Sequence, residues 1–362
     1  MKILVIGHSI AHYRQRKMWE WIAEQGHKVV AFCLPSYADE VYEPVVKGSY
    51  ELVLAPPIGT EEFWHWPQIP QIIKDVDPDI IMCYQEPFSY VAWHVMKNAK
   101  LFNKPFVLFT WENIRKAFPQ PTRQMESDVL KEANLVIAGN SDAGRICLEK
   151  GAKRVEVCLQ TGLDTNLFIP YPKLQITDKV EPKKLLFVGR MVPEKGIELI
   201  LKAFDKLPEN FVLKFVGGRG SMDELVKQHK EFGKRITLEP WVDHTKLPDF
   251  YNWADMTLVP SMDTKMWVEQ CGYVIGESLL CDTPVLSSYS KSIVELWNTP
   301  DVHFIQQGDV DALVLILKTE SSYEIKDGRK YVKDNYSIEE IGQLYIDILE
   351  DVTWPNRKIK KE

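Results

Sequence analysis

Two glutamates near the C-terminal end, Glu269 and Glu277, are separated by seven residues, with Gly272 between them. An apolar run from Met256 to Pro260 precedes the pair and reads as a buried strand. After Gly272, Tyr273 to Cys281 reads as a helix, and Pro284 to Ser287 as another strand. Gly272 therefore falls at a helix start, where free N–H groups and the helix dipole favour an anion. Glu269 falls in the loop beside that anion, and Glu277 about one turn inside the helix. An ionised carboxylate can accept two sugar hydroxyls at once, so a carboxylate next to an anion site suits a ligand carrying both phosphate and sugar. The plainer alternative is two solvated glutamates on an ordinary helix.

A second set of groups lies upstream. Lys184 to Gly189 reads as a strand, followed by Arg190, then Pro193-Glu194-Lys195-Gly196 and a helix from Ile197. Two cations then sit at the carboxyl end of one strand. Arginine offers a bidentate fork and lysine a point charge, which suits a diphosphate. A surface loop with Glu194 pairing Lys195 is the alternative. The turn Gly217-Gly218-Arg219-Gly220-Ser221, after a strand from Phe211 to Val216, is a weaker phosphate signal.

The elements that must position these groups alternate strand and helix. The N-terminal half carries short apolar runs at Ile3–Gly7, Lys28–Cys33, Leu52–Ala55, Asp79–Tyr84, Pro105–Thr110 and Asn134–Ala138, separated by helical patterns. That is an α/β chain with parallel sheets. The first turn, Gly7-His8-Ser9-Ile10-Ala11-His12, is not G-x-G-x-x-G, so a dinucleotide fingerprint is absent. His8 and His12 lie at the ligand edge of the sheet; they are either acceptor contacts or a turn histidine and a helix cap. Glu112, after the strand ending at Thr110, is either an acceptor contact or a helix cap. Trp64 and Trp66 either meet a sugar or lipid interface or cover the core under a loop. Asp75-Val76-Asp77 and Asp309-Val310-Asp311 read as helix termini rather than metal sites.

At 362 residues the chain is too long for one ordinary core, and the turn-rich stretch Gln160 to Pro170, with the polar run to Lys184, places a boundary there. A net charge of −7 argues against general nucleic-acid binding. Six cysteines without a C-x-x-C pair read as buried free thiols in a reducing compartment. With no signal peptide or spanning apolar run, the expectation is a cytoplasmic protein. Contact with the inner face of a membrane would rest on Trp64, Trp66, Arg14, Arg16 and Lys17.

Taken together, Gly189-Arg190, Pro193 to Gly196, Ala254-Asp255, Pro260-Ser261, Glu269 to Glu277 and Cys281 to Val285 resemble the retaining GT-B glycosyltransferases of family four. The resemblance spans the chain and is strongest from Leu185 to Ser287. It implies two Rossmann-like α/β/α domains facing across a cleft. Residues 1–170 would bind the acceptor, residues 171–335 the nucleotide-sugar donor, and 336–362 would form a helix returning to the first domain. It implies that Arg190 and Lys195 hold the donor diphosphate, Glu277 the ribose and Glu269 the sugar, with Glu269, Arg190 and Lys195 catalytic. Gly189, Gly217, Cys271, Gly272, Tyr273 and Val274 would complete the donor site. No cofactor or metal is implied, and the donor would be a UDP- or GDP-sugar. The acceptor would be a glycan, a lipid-linked sugar or a small molecule. The chain departs from many members at Cys271 and Asp282, and offers Trp111-Glu112 where many carry a histidine. The alternatives are a non-catalytic nucleotide-sugar-binding protein and a GT-B sugar-nucleotide epimerase.

Overall fold

The computed structural model describes residues 1–37, 40–60, 63–172, 182–218, 220–228, 230–319 and 326–355. The chain divides into two units, Met1–Gly162 with Ile338–Glu362, and Leu163–Ser337. The polar run before Lys184 and the basic end Arg357–Lys361 fall largely or wholly outside the described residues.

In the first unit the strands are β1 (Lys2–Gly7), β2 (Lys28–Cys33), β3 (Ser36–Tyr37), β4 (Glu40–Val41), β5 (Val45–Lys47), β6 (Tyr50–Leu54), β7 (Ile80–Tyr84), β8 (Phe106–Thr110), β9 (Leu135–Ala138) and β10 (Val155–Val157). β3 and β4 pair with each other; the rest form one sheet in the order β10-β9-β8-β7-β1-β2-β6-β5. Its pairings are parallel except that of β5 with β6. The inner strands are continuous apolar runs because helices cover both faces; every residue of β7, β8 and β9 is buried. From β1 the chain winds one way through β2 and the other way through β7. The winding therefore reverses between β1 and β7, which is where an open α/β sheet leaves a crevice at its carboxyl edge.

The helix Ile338–Thr353 packs on the helix Tyr13–Glu24 in this unit, with the Trp19 and Tyr345 rings edge to face at 5.9 Å. Arg154 adds an ion pair to Asp351 at 2.6 Å. The apolar residues Ile338, Ile341, Leu344, Tyr345 and Ile348 recur at helical spacing; all but Leu344, 40% exposed, are buried.

Trp66 belongs to the core. It is fully buried, packs against Phe32 and Trp64, and donates its indole N–H to the Ala55 carbonyl at 2.9 Å. Arg16 and Lys17 both pair with Glu20. The membrane reading therefore loses Trp66 to packing, and two of its cations face a carboxylate. Among the described residues no helix is long and apolar enough to cross a membrane. Asp77 ends the helix Ile69–Val76 in a left-handed conformation and pairs with Lys104. Asp309 Oδ1 accepts the N–H of Ala312 at the start of the helix Val310–Thr319. Both Asp-x-Asp sequences are thus helix termini. All six cysteines are buried and unpaired with one another.

The second unit holds β11 (Lys183–Val188), β12 (Phe211–Val216), β13 (Ile236–Glu239), β14 (Met256–Val259), β15 (Val285–Ser288) and β16 (Val302–Ile305), in the order β13-β12-β11-β14-β15-β16. All of its pairings are parallel. Leu185, Phe187, Ile197, Phe204, Phe215 and Leu258 anchor its core. Here the winding reverses between β11 and β14, so the loops leaving those two strands flank the crevice of this unit.

Candidate active site

The loop after β11 carries Arg190 and Lys195, and the loop after β14 begins at Pro260-Ser261. A short turn, Pro193–Lys195, leads into Gly196, which caps the helix Ile197–Phe204 with φ 74°. A Cβ on Gly196 would lie 2.0 Å from the Pro260 carbonyl oxygen. Only glycine lets these two loops meet backbone to backbone. Gly217, after β12, has φ 143°, and a Cβ there would lie 2.0 Å from the Gly189 carbonyl oxygen. The ends of β11 and β12 are closed in the same way. Gly218 follows, and Arg219 of that turn lies outside the described residues.

This closure brings Lys195 to Glu269. The ammonium Nζ lies 2.6 Å from Glu269 Oε2 and 4.8 Å from the centre of the Trp267 ring. Ser261 donates its hydroxyl to the same Glu269 oxygen at 2.7 Å. Ser292 Oγ donates to the Glu269 carbonyl, which fixes the backbone beneath the carboxylate. Glu269 is 6% exposed, so its charge is stabilised by a cation and a hydroxyl instead of bulk water. The Glu194–Lys195 alternative does not occur; Glu194 instead receives the Met262 N–H on its carbonyl at 2.8 Å. Arg190 stands exposed at the strand end, with no side-chain hydrogen bond among the described residues.

Gly272 caps the helix Tyr273–Leu280 with φ 63°, as the sequence predicts. Tyr273 and Val274 are half-buried on its first turn. Cys271 is buried, and its carbonyl receives the indole N–H of Trp297. Glu277 is 1% exposed and does not stand in solvent. Tyr251 donates its hydroxyl to Glu277 Oε2 at 2.8 Å, and His244 Nε2 stands 3.0 Å from Oε1.

In the first unit the reversal point is bridged by side chains. His8, past the end of β1, has its Nδ1 3.0 Å from Gln85 Nε2, past the end of β7, and its ring lies edge-on to Tyr37. Burial lowers the His8 pKa, with Gln85 opposing. His12 takes the cap position of the helix Tyr13–Glu24 without a side-chain cap bond, and its Nε2 reaches Glu40 at 3.4 Å. Glu86, next to Gln85, accepts from the Thr110 hydroxyl and from the Trp111 N–H at 3.0 Å. Burial holds its pKa up against those two bonds.

Of the two readings of Glu112, the structure excludes the helix cap. It caps no helix, since the next one begins at Thr122, and at 4% exposure it meets Lys150 Nζ at 3.1 Å. Lys150 also holds Glu126 at 2.6 Å. Burial pushes Glu112 up from 4.5 to about 7, with Lys150 pulling down and Glu126 pushing up. A carboxyl raised in the folded state gives stability that is complete below its unfolded pKa and lost as pH rises through the folded value. Wild-type stability should therefore fall between pH 4.5 and pH 7 through this group. Glu112→Gln should flatten that fall by about 1–3 kcal/mol. Urea unfolding of both proteins at either end of the window checks this, and parallel slopes would contradict it.

Ser261 enters the sequence analysis only as part of a motif, without a role, and Tyr251, His244, Gln85 and Glu86 were not singled out from the sequence. Ser261 and Gln85 follow directly from the rule that ligand groups gather past the carboxyl ends of strands. His244 and Tyr251 have no local signal, because they reach Glu277 from across the sheet edge.

Residues 173–319 match the family model for glycosyl transferases group 1. A D-inositol 3-phosphate glycosyltransferase from Mycobacterium bovis is 31% identical over 176 residues. That match spans 45% of this chain and 35% of the relative, so the chain aligns with about a third of the relative's length. Among solved structures, sucrose-phosphate synthase from Thermosynechococcus elongatus superposes with a TM-score of 0.73 at 18% identity, covering 96% of this chain and 99% of the other. Anabaena HepE in complex with UDP and glucose gives 0.73 at 17% identity, covering 97% and 99%. These likenesses show the fold. Residues 173–319 of this chain are thus similar to the glycosyl transferases of group 1, and the chain around them has the GT-B fold.

Proposed function

We propose that this chain is a retaining glycosyltransferase. It moves a hexosyl unit from a UDP- or GDP-sugar to a glycan, a lipid-linked sugar or a small-molecule acceptor, without a metal. The observation that carries the reading is the Lys195–Glu269 pair at the reversal point of the second unit, 2.6 Å apart, within the group 1 region. Anabaena HepE, a neighbour in fold solved with UDP and glucose and also with UDP-glucose, supports a nucleoside diphosphate sugar as ligand.

Breaking the bond from anomeric carbon to phosphate leaves negative charge on the diphosphate and positive charge on the sugar. Lys195 and Arg190 stabilise the first as it grows, and Glu269 favours the second. Exposed Arg190 is open to take a phosphate bidentately. Gly189, Gly217 and the N–H groups at Gly272, Tyr273 and Val274 let backbone approach the ligand closely, beside Cys271. Ribose hydroxyls meet Glu277, the role that the resemblance gives it. The leaving phosphate oxygen takes the acceptor proton on the same face, which retains the anomeric configuration. On the acceptor side His8 and His12 line the edge of the first unit. Glu112, held by Lys150, shapes that edge from beneath.

The competing readings are nucleotide-sugar binding without transfer and epimerisation. Lys195 and Glu269 favour transfer over binding alone, and epimerisation would need acid–base groups in the cleft beyond them. Thermal stabilisation against a panel of nucleotide sugars and free nucleotides tests the donor site. A ligand at 100 times its Kd should add about 2.7 kcal/mol. One nucleoside diphosphate family should stabilise the protein, and no response to any member would sink the reading.

A further inference from the structure

The Lys195 ammonium has a neighbour that the chemistry above leaves unused, the Trp267 ring 4.8 Å away. We infer that Trp267 is a positioning residue for the transfer step, holding the charge of Lys195 where the donor diphosphate meets it. The inference rests on the donor-site reading.

The ring is carried by a segment tied to the lysine's own loop. Met262 N–H donates to the Glu194 carbonyl at 2.8 Å. Asp263 N–H donates to Gln307 Oε1, also at 2.8 Å. Thr264 then closes a turn: its N–H donates to the Trp267 carbonyl at 2.7 Å, and its hydroxyl receives the Trp267 N–H at 2.9 Å. The Trp267 backbone is thereby fixed, with the ring aimed at Lys195. Trp267 is half-buried and is not part of the apolar core of this unit, so filling that core does not account for it.

The chemistry explains why a ring is useful there. Lysine carries its charge on a flexible stem with many rotamers. Glu269 holds the ammonium by accepting one of its donors. A phosphate needs those donors, so a contact made only through them must be shared when the donor binds. A cation–π contact acts on the charge and occupies no N–H. Trp267 can therefore keep the ammonium in place while its donors turn to phosphate.

A double-mutant cycle tests this. Trp267→Ala should lower the turnover rate at saturating donor by about 3- to 30-fold. The donor KM should move less, because the leaving charge is largest in the transition state. Trp267→Phe, which keeps a ring face, should recover most of the rate. In the Lys195→Ala background, Trp267→Ala should cost little more. A packing role would instead give multiplied losses and the same loss with or without Lys195. A second readout does not need activity. In protein labelled with ¹³C at lysine Cε, the Lys195 signal, assigned by its absence in Lys195→Ala, should be shifted upfield by the indole and lose that shift in Trp267→Ala. An unshifted Lys195 signal in the wild type overturns the inference. If the wild type transfers no sugar while the shifted signal is present, the functional reading fails and the contact stands.

Discussion

Lys195→Ala should cut the transfer rate by about 100- to 1,000-fold, the loss seen when one preorganised group facing a developing negative charge is removed. The lysine sits at the reversal point of its sheet, 2.6 Å from Glu269, on a loop that closes only because Gly196 brings no Cβ. The ammonium is positioned before the donor arrives, so little reorganisation accompanies the chemical step. The variant also leaves Glu269, 6% exposed, with the Ser261 hydroxyl but without its cation. Lys195→Arg should not restore the rate, because a planar fork cannot occupy the place of a compact ammonium between the carboxylate and the Trp267 ring. Initial rates with a fixed donor, compared with wild type, check both substitutions. A loss below about tenfold in Lys195→Ala would remove the lysine from the chemistry.

Glu277→Leu should be the most destabilising of these single changes, by about 2–4 kcal/mol. The side chain is buried, and its two oxygens take the Tyr251 hydroxyl and face the His244 ring. Leucine fills the volume but removes the buried carboxylate that both Tyr251 and His244 face. Urea unfolding monitored by tryptophan fluorescence measures the loss. A midpoint unchanged from wild type would mean that neither partner depends on the carboxylate. The same change separates two roles for this residue. If it serves only as an anchor, donor affinity should follow stability, whereas a ribose contact should lower affinity further in protein that is still folded.

Much of this organisation is legible in the residue order. Strands buried on both faces read as continuous apolar runs, and β7, β8, β11 and β14 fall where those runs lie. Gly272 at a helix start and the two aspartate pairs at helix ends follow from capping chemistry that acts within a few residues. Lys195 and Glu269 come from motif order, and their contact comes from the sheet winding. What the residue order does not carry is pairing at long range. Glu112 reads as an edge group until Lys150, 38 positions later, reaches it. Glu277 reads as open until His244 and Tyr251 cover it. Trp66 reads as either an interface aromatic or a cover for the core, and Ala55 as acceptor with Phe32 as packing decide for the core. In each case a polar or aromatic group was buried by a partner that no local pattern announces.

The central claim is that the second unit holds a nucleoside diphosphate sugar on Lys195 and Glu269 and releases the sugar from the face the leaving group departs. ¹H NMR of the sugar first released from an α-linked nucleotide donor, in buffer containing EDTA, tests it most directly. The account predicts an α-configured product, formed without added metal and slowed at least 100-fold by Lys195→Ala, in line with the loss of one preorganised charge. A β-configured first product, or turnover that Lys195→Ala leaves unchanged, would contradict it.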